Sequence, residues 1–399
     1  MLPTTRRLLT VAAIGTTLLL VGAAAVPFRR DAAWQAMQTE VAALRAAVAA
    51  RPSQRPVLWG EGRAGDAFAH YDRACELSRS LQSTDGNAWI KTSLASGEQV
   101  ATERAGLRAR WQPVLAALRA GAQSTHVTPS IPGADGLEPR IANLLDCRWV
   151  ANLAVFEARA LQHEGRNEDA VRRTLDAASL GADLARRGTL IDQMIGCAIL
   201  SIGTDGAWTD AALAALDRGA LDLLADGLQR LDTDLPLTLD DGAELLHVAW
   251  HMQNAPDDAE WLPSNAAAWR FGFSTRWMLA DAFRLQLARS RRLAATTGAP
   301  WQERAAQLEH ELATATASGN ALMAVCLPNL GAAEGNWREQ RARIRLLCMA
   351  VDLHRGIDPP PLTDPIGGRP IATTTTAAGI ELRCAPLADP KRTTRLVVR

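Results

Sequence analysis

The run Leu8–Phe28, LLTVAAIGTTLLLVGAAAVPF, is 21 residues long and carries no charge. Nothing else in the chain narrows its folding options so far. At 1.5 Å of rise per residue, a helix of this length just spans a bilayer core of about 30 Å. Arg6 and Arg7 precede it, and Arg29 and Arg30 close it. One reading is an uncleaved transmembrane anchor. The other is a signal segment cut near Ala23–Ala25, where small residues suit the peptidase. The unbroken apolar length and Pro27 close behind that cut favour the anchor. Arginines on both sides weaken the charge bias, but a short basic head before a long domain places the head inside and the domain outside. The expectation is a single-pass protein of a bacterial inner membrane with its main domain in the periplasm, or a secreted protein if the segment is removed.

Beyond Asp31 the residue pattern is helical. Alanine and leucine dominate, β-branched runs are short, and hydrophobic residues make up 48% of the chain. Trp34, Met37, Val41, Leu44 and Val48 recur at helical spacing and predict an amphipathic helix, read as a stalk rising from the membrane. RPSQRP breaks it. Helices follow over about 66–81 and 99–121, separated by a surface loop over 82–97. THVTPSIPGADGLEP, with its prolines and small turn residues, is the strongest interior linker. From Ile141 the pattern is nearly continuous helix. A hairpin turning at Gly165, with small Ala170 and Ala177 behind it, lets two antiparallel helices pack closely. Further helices are expected over about 217–231, 238–254, 264–295, 301–325 and 335–354. The last residues are rich in Pro, Gly and Thr, and RPIATTT and GIELRC read as a β-hairpin. The domain organisation is therefore 1–30 anchor or signal segment, 31–125 N-terminal helical region, 126–140 linker, 141–356 main helical domain and 357–399 tail. The fold class is mainly α: antiparallel helical hairpins, as an array or an irregular bundle, with an N-terminal transmembrane helix and a short C-terminal β-hairpin.

Two resemblances bear on this architecture. The hairpin around Gly165 resembles a tetratricopeptide unit, which places a glycine at the turn and small residues in its second helix. GAWTDAALAAL, with Gly206 and Ala211, echoes it. The tail, with Asp364, Pro365, Gly368 and Pro370 in the pattern DPxxGxP, resembles that of a loosely defined group of exported or membrane-anchored helical bacterial proteins. LARRGTLIDQMIGCAILSIG also looks like that group. The tyrosine usual after its motif is missing here. The resemblance implies architecture and location and brings no catalytic residues.

Candidate chemistry centres on ELLHVAWH. On a helix, Glu244, His247 and His251 fall within about 60° of one another, and Asp240 shares the arc. Imidazole and carboxylate on successive turns suit a divalent metal, and Glu-x-x-His is half of a di-iron motif. A second copy is missing, and Val248 stands where a zinc protease would have its glutamate. The competing reading is an ordinary solvated helix face, since the rest of that helix is apolar. A second cluster, Trp261, Trp269, Phe273 and Trp277 with neighbouring phenylalanines, reads as a hydrophobic-ligand groove, a lipid-facing surface or plain core. The charged stretch GNWREQRARIR around Trp337, like His310 and His354, reads as solvated surface.

Several classes are disfavoured. Acidic and basic residues balance at 43 each, which leaves no basic patch for a nucleic-acid partner. No P-loop or G-x-S-x-G is present, and strands do not alternate with helices. The six cysteines contain no C-x-x-C. They read mostly as small buried hydrophobes, with room for a disulfide at Cys384. The leading expectation is a non-enzymatic cell-envelope scaffold that contacts a protein partner, without a cofactor. The alternatives are a metal-dependent hydrolase or oxidase using Glu244, His247 and His251, and a hydrophobic-ligand binding module built on the aromatic cluster.

Overall fold

The computed structural model describes residues 32–51, 53–85, 98–128, 144–236, 238–239, 241–254, 275–318, 330–387 and 394–399. Leu8–Phe28 lies outside them. Among the described residues no helix is long and apolar enough to cross a membrane. The chain is mainly helical, with a small antiparallel sheet at its C-terminal end. In order, the elements are α1 (32–49), β1 (Arg63–Asp66), α2 (Ala67–Asp85), α3 (Glu98–Gln123), β2 (Ser124–His126), α4 (Leu144–His163), α5 (Asn167–Arg187) and α6 (Leu190–Gly203). There follow α7 (Asp210–Ala214), α8 (Arg218–Asp234), α9 (Gly242–Asn254), α10 (Thr275–Ala294), α11 (Trp301–Ala317), α12 (Leu330–His354), β3 (Ala372–Thr376), β4 (Gly379–Arg383) and β5 (Arg395–Val398).

The hairpin expected at Gly165 is present. Gly165 has φ +74°, a left-handed conformation that glycine adopts without steric cost, and Arg166 N–H donates to Leu161 O at 2.9 Å across the helix end. α5 then runs back along α4. Its Ala170, Ala177, Ala178, Ala182 and Ala185 are all buried, so neighbouring backbones come close. The closest approach is to α6. A Cβ at Gly196 would stand 2.6 Å from Ala185 N, and one at Gly203 2.7 Å from Ala178 N. Gly181 faces Leu200 N at 2.6 Å in the same way. Because α5 also packs against α3 and α8, the assembly is an irregular bundle around α5 and not a stack of sequential hairpins. The echo at Gly206 is no second hairpin. α7 has five residues, and Trp208 Nε1 fixes the preceding turn by donating to Thr174 Oγ1 at 3.2 Å.

α1 does not stand apart as a stalk. Met37, Val41 and Val48 are buried in one cluster with Leu245, Leu246, Ala249 and Met252 of α9 and Phe283 of α10. A second cluster joins α2, α3 and α4 to the near faces of α5 and α6. The largest joins α5, α6, α8, α12 and the tail.

α12 overturns the expectation of a solvated face at GNWREQRARIR. Trp337 is 1% exposed, and Glu334, Arg338, Gln340 and Arg341 are all buried. The physical reason is that these arginines end on backbone carbonyls that helix ends and turns leave unsatisfied. Arg338 donates to Ala299 O at 3.0 Å and Pro365 O at 3.1 Å, and Arg341 to Pro236 O at 2.8 Å. Glu334 supplies the counter-charge, taking Arg304 at 2.9 Å and Arg338 at 3.2 Å. His354 is also not free surface, since its Nε2 lies 3.0 Å from Asp210 Oδ1.

The tail contains the expected hairpin and a third strand that was not expected. β3 pairs with β4, closing from Thr376 to Gly379, and β5 adds antiparallel to β4. The DPxxGxP residues serve this sheet. The Asp364 carboxylate accepts from Ile366 N at 2.9 Å and from Ala385 N at 2.7 Å, while Gly368 turns the chain at φ +68°. Cys384 is a buried thiol beside Asp364, not half of a disulfide.

The glycine packing predicts opposite outcomes for two Gly→Ala changes. Gly106→Ala in α3 meets nothing within 4 Å. It should raise stability by about 0.5–1 kcal/mol through helix propensity. Gly196→Ala must force α5 and α6 apart and should cost about 1–3 kcal/mol. Urea unfolding of both variants against the parent measures the contrast.

Candidate functional site

Glu244 and His247 lie on α9 as the sequence pattern requires. Glu244 is turned toward α6, where its carboxylate accepts from Leu190 N at 3.0 Å. Two more polar groups complete that helix start. Thr189 accepts from Asp192 N, and Asp192 takes Thr189 N at 2.7 Å, a reciprocal capping box. Glu244 therefore satisfies one of the N–H groups that a helix start leaves unbonded. Burial, together with the nearby Asp192 and Asp241 charges, outweighs that bond and raises its pKa. His247 is half-buried. The His251 side chain and Asp240 lie outside the described residues, as do Trp261, Trp269, Phe273 and the Trp277 side chain. Among the described residues, no three His, Cys, Asp or Glu side chains come together as a metal site would require.

GEGRAG, Gly60–Gly65, has the spacing of a dinucleotide fingerprint, which works at the end of a strand inside a parallel sheet. Here its last three residues belong to β1 itself, which among the described residues pairs with the short β2 in a two-stranded sheet. The α2 start behind it already faces a carboxylate, since Asp66 Oδ1 accepts from Phe68 N at 3.4 Å and Thr128 N at 2.9 Å. An anionic ligand would be repelled there.

The structure brings together a set of residues that no motif marked. A cleft of about 290 Å³ opens between α6 and α12, lined by Met194, Cys197 and Ser201 on one side and Asn336, Gln340 and Arg343 on the other. A second hollow of about 420 Å³ continues past Arg343 toward Trp208 and β5. Arg343 and Glu339 border both. Arg343 is held at 3.1 Å from Asp205 and 2.6 Å from Glu339, and Gln340 Nε2 donates to Thr204 Oγ1 and Asp205 Oδ1, each at 3.1 Å. Cys197 donates to Asn336 O at 3.7 Å, and burial pushes its thiol up to about 12. A thiol with that pKa is not a nucleophile at neutral pH. The rim beside it is apolar: Ile191 is 47% exposed and Met194 45%. The signal for this site was present in the sequence. The charges of REQRAR spread around the whole circumference of a helix, so they could not all share one solvated face.

A further polar cluster is sealed. Tyr71, the chain's single tyrosine, donates to Asp183 at 2.8 Å, and Arg55 lies 3.0 Å from the other oxygen of that carboxylate. Nearby, Asp176 accepts from Trp59 Nε1 at 2.8 Å, with the Arg119 guanidinium 4.8 Å from the Trp59 ring. Desolvation raises Asp176 to about 6 against the partial compensation of Arg173 and Arg119. With no exposure at Asp176 or Asp183, these groups hold α2, α3 and α5 together and present nothing to a ligand.

Comparison with protein families, with characterised proteins and with solved structures finds no match.

Two predictions follow from these environments. Glu244→Ala should cost about 1–3 kcal/mol by stranding Leu190 N–H, whereas Glu244→Gln keeps an acceptor and should cost less. A bound metal lost in both variants to the same degree would reverse this assignment. For Asp176, the folded carboxyl holds its proton to a pH of about 6, while the unfolded one releases it near 3.8. The folded state thus binds the extra proton in that window, and stability falls as pH rises through it. The stability of the parent relative to Asp176→Asn should therefore fall by about 2 kcal/mol from pH 4 to pH 6, read from urea midpoints.

Proposed function

We propose that this chain is a non-enzymatic scaffold of the bacterial cell envelope, held in the inner membrane by Leu8–Phe28, with its body in the periplasm. Its contact surface is the α6/α12 face. The observation that carries this reading is the state of the cleft. Its charged groups are spent on one another, with Arg343 between Asp205 and Glu339, and its thiol is held protonated. None of these is poised as a base or nucleophile. What the cleft does offer is shape, the exposed Asn336 amide at its edge, and exposed Met194 with exposed Ile191 three residues before it on α6. That combination suits a protein segment that buries one apolar side chain and pairs its backbone with the Asn336 amide. The resemblance of the tail to anchored and exported helical proteins agrees with the location. Glu244, with its carboxylate engaged at the start of α6, supports a structural role over metal chemistry.

The test is photo-crosslinking of the full chain in native membranes, with the probe at Met194 and a control at exposed Leu312 on α11. A discrete protein adduct at Met194 alone, lost in Ile191→Asp, is the expected result. Ile191→Asp should change stability by no more than about 0.5 kcal/mol, because the side chain is on the surface. Equal or absent labelling at the two positions would remove α6 as the contact face. Recovery of the chain in the soluble fraction would remove the anchor.

A further inference from the structure

Two cysteines that sequence order keeps far apart meet in the second apolar cluster. Cys75 on α2 and Cys147 on α4 have their sulfurs 3.3 Å apart. Both are thiols in this structure and both are buried, at 1% and 5% exposure. The helices that carry them are held in register at this level by one residue. Asp146, next to Cys147, accepts from Arg79 Nε at 2.7 Å and from Gln82 Nε2 at 3.0 Å, one and two turns along α2 from Cys75. The remaining described cysteines have other surroundings. Cys197 lies against Asn336 O, Cys348 is half-buried near Asp232, and Cys384 is hydrogen-bonded to Asp364.

We propose that Cys75 and Cys147 are the sites of an oxidative modification, an intramolecular disulfide that staples α2 to α4. The oxidant is an external disulfide, either a small-molecule disulfide or the active-site disulfide of a thiol oxidoreductase. One cysteine, as thiolate, attacks a sulfur of that disulfide, forms a mixed disulfide and expels the first leaving thiolate. The second cysteine loses its proton to water, attacks the protein sulfur of the mixed disulfide and expels the second thiolate. Both leaving thiolates take up protons. Two protein thiols are oxidised to one disulfide, and one external disulfide is reduced to two thiols. Only a rotation about the side-chain torsions is needed to bring sulfurs already in contact to bonding distance. Contact with Cys75, burial and the nearby Asp72 and Asp146 charges all raise the Cys147 pKa, so the thiolate is scarce in the folded state. The exchange therefore belongs to folding, before α2 and α4 close, and burial then shields the product. Export, as proposed above, would carry the chain to such an oxidant, but the chemistry does not depend on it.

The experiment is to refold the full chain from urea, in detergent, with a mixture of oxidised and reduced glutathione. Remaining thiols are then alkylated under denaturing conditions and peptides mapped with and without reduction. The expected result is one crosslinked pair, Cys75 with Cys147, two hydrogens lighter than the separate peptides. Two of the six cysteines would escape alkylation. The urea midpoint of the oxidised parent should fall on reduction, while that of the Cys75→Ala/Cys147→Ala double variant should not move. Full alkylation of both residues after oxidative refolding, or crosslinking of either to a different cysteine, would overturn the proposal. Because the oxidant is added in the tube, failure here is separable from failure of the envelope location.

Discussion

Glu334 is the charge on which the C-terminal half of this protein turns. It is buried on α12 between two arginines, Arg304 from α11 and Arg338 from one turn further along its own helix. Each arginine then reaches outward. Arg304 donates to Leu293 O and Thr296 Oγ1 at the end of α10, and Arg338 to Ala299 O and Pro365 O. Four segments are thereby tied to one carboxylate. Burying a charge is costly unless it is paired and its hydrogen bonds are met. Here the cost is offset by carbonyls that would otherwise be orphaned at the helix ends. Removing Glu334 alone would leave two buried cations facing each other, which is why this arrangement specifies position as well as holding the parts together.

The contact between α5 and α6 is made through glycine. Gly181, Gly196 and Gly203 let α5 and α6 approach until backbone meets backbone, and dispersion across that contact replaces large side chains. This has a consequence for the surface. α6 turns Gly196 and Gly203 inward together with Ile199 and Leu200, and Ile191 and Met194 are left outward. The cleft floor is set by Trp337 of α12, whose Nε1 donates to Pro236 O at 3.1 Å. The candidate contact surface thus exists because a glycine-lined helix and an arginine-laced helix lie side by side.

What the sequence alone determined is the helical body, the glycine turn at residue 165, the order of helices and the hairpin at the tail. These depend on local patterns, namely spacing of apolar residues, turn glycines and β-branched runs, and each pattern acts over a few residues. The third strand escaped because RLVV is only four residues and its partner, β4, must be found across a loop. Tertiary structure alone decided which charges are buried. REQRARIR is as polar as any solvated helix, and only the carbonyls of distant turns make it a core element. It also decided that Glu244 caps α6 instead of facing water, that α1 packs on α9 and α10, and that Cys75 touches Cys147. In each case the partner lies tens of residues or more away in sequence, and no periodicity records which distant group will complete a hydrogen bond.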